Sequence, residues 1–428
     1  MSSFSQLGLS GALAKKARSL GWTEPTAIQQ KAIALILENR DVMAIAQTGS
    51  GKTGAFLLPI LDKLTETAHF KGPAALILAP TRELALQIDQ NVNAFAPCLS
   101  LSGALLIGGL SVLKQKEDLM RMPDIVVATP GRLLDHIRQK SIDLSDVLYL
   151  VLDEADRMLD MGFLPDVKKI LALCPKNRQS LLFSATLTDD IHLLAQKFLN
   201  KPVLIEINAN RDAKSVEQKF YRVPESEKPV FLRDLIVDNR HEQVLVFTRQ
   251  KRSAAILADH LKKDGFTVEA LHGDKTQAAR LRILEAFKKG ELRVLVATDL
   301  ASRGLDIKEL PVVVNYELPQ DPTDYIHRIG RTGRAGAKGL AYSLVSEKDS
   351  YKLQDIEKLL KKRILLEVPV RYEEYFSGLQ GDFPKQKDRP HRKRDNNKNK
   401  KAANSERKRQ KAESARAEES FDYMMPGF

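Results

Sequence analysis

An apolar run that ends in a glycine-flanked lysine restricts this chain more than any other stretch. Val42-Met43-Ala44-Ile45-Ala46 reads as a buried strand. It leads into Gln47-Thr48-Gly49-Ser50-Gly51-Lys52-Thr53 and then into a helix over about 53–66. Strand, loop and helix in that order are what a phosphate-gripping loop requires. Glycines let backbone N–H groups approach anionic oxygens, and the helix N-terminus adds partial positive charge. Lys52 then reaches the outer phosphates and Thr53 can hold Mg²⁺. The usual loop opens with glycine where this chain has Ala46, but Gly49 and Gly51 remain beside Lys52.

Further strand-like runs follow at Ala75–Ala79, Ala104–Ile107, Asp124–Ala128, Leu148–Leu152 and Ser180–Phe183, separated by amphipathic helical stretches. Strands alternating with helices imply parallel βαβ units. In a parallel sheet the loops after the strands share one edge, the edge where such sheets bind ligands. Those loops are Pro80-Thr81-Arg82-Glu83, Gly108-Gly109, Thr129-Pro130-Gly131-Arg132 and Ser184-Ala185-Thr186. Small donors with arginines suit a phosphodiester backbone better than base edges. Tyr149-Leu150-Val151-Leu152 ends in Asp153-Glu154-Ala155-Asp156. A metal held by nucleotide phosphates needs a carboxylate there, and activating a water needs a second one close by. Upstream, residues 4–40 look helical, broken at Gly21-Trp22-Thr23-Glu24-Pro25, with Thr26 able to cap the next helix.

The alternation restarts after a polar stretch at about 207–217, which reads as a linker. Val244–Phe247, Thr267–Leu271, Val294–Ala297, Val312–Asn315 and Gly339–Val345 imply a second parallel sheet without a phosphate loop. Its edge loops include Thr248-Arg249, His272-Gly273-Asp274, Thr298-Asp299, Arg303–Asp306 and His327–Arg334. Arg331 and Arg334, three apart, fall near one face of a helical turn. Arginines there could act on a nucleotide held by the other half of the chain.

Composition narrows the class. With 428 residues, 43% hydrophobic and 29% charged, the chain can form two or three globular domains. Cys98 and Cys174 are far apart without metal-ligand spacing, which fits a reducing compartment. No apolar run is long enough to cross a bilayer, and Met1-Ser2-Ser3-Phe4 lacks a signal-peptide pattern, so a cytoplasmic location is expected. Net charge is +12, but residues 385–411 hold thirteen Lys/Arg against three Asp/Glu and carry +10 of it. A tail of that composition is expected to be disordered and to attract polyanions.

Taken together, the motifs resemble the DEAD-box family of ATP-dependent RNA helicases. The likeness rests on Ala46–Thr53, Pro80–Ala85, Thr129–Arg132, Asp153–Asp156, Ser184–Thr186, Ala297–Ile307 and His327–Arg334, and spans residues 1 to about 372. The compact core, Phe4 and the basic tail look most like the bacterial RhlE-type branch. The chain has Trp22 where the family usually has phenylalanine, and Ala27 where proline is commoner.

The resemblance implies an α/β fold of two RecA-like parallel-sheet domains in tandem, at 1–206 (adenine-reading motif at 3–31) and 218–372. A flexible linker at 207–217 joins them, and a disordered basic tail covers 373–428. ATP and Mg²⁺ are the implied cofactors. Trp22 would stack on adenine and Gln29 would read its edge. Thr48, Gly49, Ser50, Gly51, Lys52 and Thr53 would hold the phosphates, with Thr53 and Asp153 (through water) on the metal. Glu154 would orient the attacking water, Asp306 would touch the ribose, and Arg331 and Arg334 would be arginine fingers. Ser184, Thr186 and His327 would couple hydrolysis to strand separation. Thr81, Arg82, Gly109, Thr129, Arg132, Gly273 and Thr298 would line an RNA backbone path. Implied partners are RNA, with ribosomal precursors or the RNA decay machinery, around a monomeric core and with no membrane. A DNA-translocating motor and a non-catalytic RNA clamp share the two-domain plan and stay open at this point.

Overall fold

The structure, a computed structural model, describes residues 3–47, 49–66, 72–207, 216–302, 310–333 and 339–377. Met1–Glu374 belong to one compact unit, which holds two seven-stranded sheets in tandem. The first contains β1 (Val42–Ile45), β2 (Ala75–Leu78), β3 (Gly103–Leu106), β4 (Ile125–Ala128), β5 (Tyr149–Leu152), β6 (Gln179–Ser184) and β7 (Val203–Glu206). The second contains β8 (Val216–Arg222), β9 (Val244–Thr248), β10 (Val268–Leu271), β11 (Val294–Thr298), β12 (Val312–Asn315), β13 (Gly339–Val345) and β14 (Leu366–Glu367). All strand pairs in both sheets are parallel.

Strand order explains which loops meet. The first sheet runs β3-β4-β2-β5-β6-β1-β7. The three strands feeding the lysine loop, the acidic turn and the Ser184 loop (β1, β5 and β6) are therefore neighbours. The strands feeding the Arg82, Gly109 and Arg132 loops (β2, β3 and β4) form the adjacent block. One edge is thus divided into a nucleotide-suited half and a backbone-suited half. The second sheet repeats the plan as β10-β11-β9-β12-β13-β8-β14.

Burial follows position in the sheet. β2, β4, β5 and β6 are buried along their whole length, as expected where helices cover both faces. The edge strands β3 and β7 are partly exposed. Leu76, Leu78, Leu150 and Leu152 have no exposed surface. Each such side chain contributes roughly 1.5–3 kcal/mol through burial. Helix Lys52–Leu64 is buried nearly all round, packed beside helix Ala27–Leu37 and, through Phe56 on Phe183, against the first sheet, so the lysine loop is anchored at both ends in core.

β8 and β14 lack the apolar runs that mark the other strands, and β7 has one of only three residues. β7 is half exposed, β8 buries its first and fifth residues, and β14 is two residues long. Val216 and Glu217, at the end of the expected linker, stand in β8. Linker residues 208–215 and the tail from 378 lie outside the described residues. Cys98 is exposed and Cys174 buried, and both are free thiols. Among the described residues no helix is long and apolar enough to cross a membrane.

Candidate functional site

The lysine loop closes on a left-handed turn. Gly49 and Gly51 have φ of 87° and 93°, a region that glycine enters without penalty. A Cβ on Gly51 would stand 2.7 Å from Thr26 Oγ1 and 2.8 Å from Gln29 Nε2, so that position also requires glycine for space. Lys52, 5% exposed, points its Nζ into a buried position with no hydrogen-bond partner among the described residues. A buried ammonium that makes no hydrogen bond is costly, and this lysine therefore fits a phosphate group whose oxygens accept from it. Ser50 Oγ donates to Gln47 O, and Thr53 is half-buried at the first turn. Thr48 lies outside the described residues.

Gln29 ties the upstream helix to the loop. Its Oε1 accepts from Thr26 N at 2.9 Å, and its Nε2 donates to Gly51 O at 3.1 Å. Trp22 is half-buried against Gly54, where a Cβ would stand 2.7 Å from its Cζ3, and its ring centroid lies 5.0 Å from that of Phe95. Gln29 and Trp22 are thus brought to the loop, though here both amide atoms of Gln29 serve protein groups.

Three carboxylates face Lys52 from the end of β5. Burial pushes the Asp153 carboxyl up to about 6, against the pull of Lys52. A carboxylate so desolvated fits a position that meets a cation. Burial also pushes Glu154 up, but Arg157 and Lys52 outweigh it and hold Glu154 below its ordinary range. Arg157 Nη1 lies 2.8 Å from Glu154 Oε2, with both side chains 2% exposed. Glu154 itself has φ of 51°, a conformation uncommon for a residue with a side chain. Asp156 clamps the next loop: its Oδ2 accepts from Ala185 N, Thr186 N and Thr186 Oγ1 at 3.0–3.1 Å. Ser184 Oγ donates to Thr186 O at 2.7 Å. Movement of the Ser184–Thr186 loop therefore cannot be separated from the acidic turn.

The second sheet reaches this cluster through helix Pro322–Ile329 and the turn after it. Arg157 Nη2 lies 3.1 Å from His327 Nδ1. Burial, with Arg157 adding to it, lowers His327 to about 4, so the imidazole is neutral and Nδ1 accepts from the guanidinium. Arg331 is 4% exposed, and its charge is among those that hold Glu154 down. Asp306 and Arg334 lie outside the described residues.

The other half of the edge is equally connected. Thr81 caps helix Arg82–Phe95, and Thr129 precedes helix Pro130–Arg138. Arg82 lies flat on Gly108 and Gly109, where a Cβ would approach its guanidinium to 2.8 and 2.7 Å. Arg132 Nη1 donates to Leu110 O at 3.3 Å. Across the cleft, Gly273 has open space about it and Thr298 ends β11. Glu83 Oε1 accepts from Arg280 Nε at 2.8 Å and from Gln277 Nε2 at 3.3 Å.

Glu83, Arg157, Gln277 and Arg280 carry these contacts; Glu83 falls inside the Pro80–Ala85 motif without an assigned role there, and the other three lie outside the motifs. Gln277 and Arg280 sit three apart on an ordinary amphipathic helix. Arg157 could have been suspected from its place one residue after the acidic turn.

A sequence model of the DEAD/DEAH box helicase family matches residues 26–194, and one of the helicase conserved C-terminal domain matches residues 227–336. The ATP-dependent RNA helicase CshA of Listeria monocytogenes is 43% identical over 380 residues, which cover 88% of this chain and 72% of that protein. The ATP-dependent RNA helicase RhlB of Pseudomonas syringae is 42% identical over 375 residues, 86% of this chain and 94% of that protein. Among solved structures, Saccharomyces cerevisiae Dbp5 bound to RNA and ADP BeF3 is similar with a TM-score of 0.77 and 32% identity, over 89% of this chain and 98% of that one.

Proposed function

Because this chain belongs to the DEAD-box family of ATP-dependent RNA helicases, we propose that it works as a clamp whose closure on ATP and RNA pries short duplexes apart or remodels RNA–protein complexes. One observation carries this reading: residues of the two sheets meet at both halves of the cleft. Arg157 meets His327 beside the lysine loop, and Glu83 meets Arg280 beside the backbone-suited loops. Likeness over most of the chain to a relative bound to RNA and a nucleotide analogue supports it.

In this reading Lys52 and the backbone of Gly49–Thr53 grip the ATP phosphates, Trp22 packs on adenine and Gln29 reads its edge. Thr53 and, through water, Asp153 hold Mg²⁺, which supplies charge neutralisation at the phosphates when bound. Glu154, kept ionised by Arg157, orients the attacking water as general base. Arg331 and Arg334 stabilise the charge that develops on the transferred phosphoryl group. Asp306 holds the ribose. Ser184, Thr186 and His327 carry the change in the cleft to the RNA side. Thr81, Arg82, Gly109, Thr129, Arg132, Gly273 and Thr298 hold a bent strand by its backbone, with little sequence preference.

Two domains at 1–206 and 218–372, with the linker ending where β8 starts at Val216 and the basic RNA-attracting tail following the short helix Glu373–Ser377, belong to the same proposal, as do a monomeric core, a cytoplasmic location and a role in ribosome assembly or RNA decay. The RhlE-type assignment rests on the compact core, Phe4 and the tail; the relatives named above carry the names CshA and RhlB.

The experiment is a comparison of ATP turnover with single-stranded RNA and DNA of one sequence, alongside release of a short labelled RNA duplex. Stimulation by RNA, with duplex release that needs ATP, is expected. Equal stimulation by DNA, or turnover without duplex release, would reject the clamp reading.

A further inference from the structure

The strands β1, β5 and β6 that carry the nucleotide half of the cleft also frame a second cavity, at their opposite ends. Its volume is about 660 Å³, the size of sites that take small molecules. Its lining is polar, unlike most such sites. Three separate loops each bring an asparagine followed by a cation: Asn39-Arg40 before β1, Asn177-Arg178 before β6, and Asn200-Lys201 before β7. The pattern recurs in segments distant in sequence and converges only in the fold.

Charge at this cavity is unbalanced. Neither Arg40, Arg178 nor Lys201 forms an ion pair among the described residues. Asp41 is the acid present, and both its oxygens are engaged: Oδ1 accepts from Ser180 N and Oδ2 from Asn200 N. Part of the cationic character suits the carbonyl ends of the helices that finish here. That explanation leaves Gln179 unaccounted for. Gln179 is 7% exposed, and its Nε2 donates to Ile36 O and Arg40 O at 3.0 and 2.7 Å, which fixes the amide in place. Its Oε1 is buried with no partner among the described residues, and so is Nε of the neighbouring Arg178. Two adjacent residues of the lining thus each keep a buried, unmatched polar atom, an acceptor on Gln179 and a donor on Arg178, whose Nη1 donates to Pro175 O. Such groups are costly to leave unmade.

We propose that this cavity binds a nucleoside phosphate. The anionic oxygens meet Arg40, Arg178 and Lys201, and an N–H or O–H of the base or sugar meets Gln179. The same chemistry comes from a free nucleotide or from one nucleotide of an RNA strand, which would give the first sheet a second RNA hold away from the cleft. The proposal does not depend on the roles assigned to the cleft residues.

The test is hydrogen exchange on the full chain with saturating ADP in the cleft, probing separately with uridine 5′-monophosphate and a ten-nucleotide oligouridylate. Protection of the segments around 39–41, 177–180 and 199–201 is expected with at least one probe. Protection by the mononucleotide identifies a free ligand, and protection by the oligomer alone identifies RNA. The Arg40→Gln/Lys201→Gln double variant changes exposed side chains and should fold normally. It should bind the effective probe at least about tenfold more weakly, because it removes two of the three charge-assisted contacts, while kcat of RNA-stimulated ATP turnover stays unchanged. Absence of protection with both probes, or protection that survives in the double variant, overturns the proposal.

Discussion

Arg280 Nε lies 2.8 Å from Glu83 Oε1, and the two residues stand on helices that serve different sheets. Their side chains are 10% and 6% exposed, so the pair is shielded from the solvent that makes surface bridges weak. Arg280 also donates to the carbonyls of His272 and Ala301. One guanidinium therefore joins two loops of the second sheet to the first residues of the Arg82 helix.

Glu83→Ala should weaken the closed state by about 2–4 kcal/mol, because it leaves Arg280 buried without its partner. RNA affinity measured with a non-hydrolysable ATP analogue should fall accordingly, while ATP affinity without RNA stays near wild type. The reversed pair, Glu83→Arg with Arg280→Glu, should recover part of the loss. A single variant that closes on RNA as tightly as wild type would remove this pair from the closing energetics.

Glu154→Gln keeps the shape of the acidic turn and removes the base. It should retain ATP and RNA binding and slow single-turnover hydrolysis by roughly 10²–10⁴-fold, the usual worth of a positioned general base. Arg157→Met should lower turnover by a different route. Glu154 then loses the cation that holds it ionised, and His327 loses its donor. Its pH–rate profile should shift to higher pH, whereas that of a merely destabilised protein would keep its midpoint.

The sheets could be read from the chain because buried parallel strands leave uninterrupted apolar runs. Tyr149–Leu152 and Val294–Ala297 are visible for that reason. Val203–Glu206 is not, although Val203-Leu204-Ile205 is apolar, because the run is only three residues long and its wet edge position leaves Leu204 exposed. The same division holds for side chains. Lys52 and Glu154 announce themselves because backbone geometry fixes their neighbours within a few residues. Glu83 and Arg280 are separated by 197 positions, and only the packing of the two lobes makes them partners. Gln179 follows an arginine at the start of an ordinary buried strand, and nothing in its local sequence indicates that its carbonyl oxygen ends without a donor.

Asp89 gives a pH test of the first lobe that is separate from its chemistry. Burial pushes its carboxyl up to about 6, the bond from Asn93 Nδ2 opposes this, and Asp118 adds to it. The folded state thus holds the proton more tightly than the unfolded chain, whose aspartates titrate near 3.9. The resulting stability is fully present below about pH 4 and is lost as pH rises through about 6. Asp89→Asn should therefore be more stable than wild type at pH 8, by about 1 kcal/mol once solvent screening at this half-buried position is allowed for. The difference should vanish near pH 4. Urea unfolding at both values measures it, and equal gains at the two would show that the carboxyl does not titrate as described.

Gln115 anchors the Gly108-Gly109 loop from below. Its Nε2 is shared among the carbonyls of Ile107, Leu110 and Ser111 at 3.2–3.4 Å, and its Oε1 lies 3.4 Å from Nε2 of the fully buried His136. Burial, then Arg132 and Lys116, lower the His136 pKa, so the ring is neutral and gives its Nε2 proton to Gln115. The loop is thereby fixed to the helix that carries Arg132. Gln115→Leu keeps the volume and strips these bonds, leaving the buried Ile107 carbonyl and His136 Nε2 without this partner, at a cost of about 1–3 kcal/mol. If the anchor serves only the fold, thermal stability should drop and kinetics in RNA should not change. If it positions the loop for RNA, KM for RNA should rise several-fold with kcat and the ATP KM nearly constant, and Gln115→Asn should restore little because its amide is one carbon too short to reach. The second result is expected, because Arg82 lies over both glycines of the loop that Gln115 anchors, and Gln277 of the second sheet stands beside Gly109.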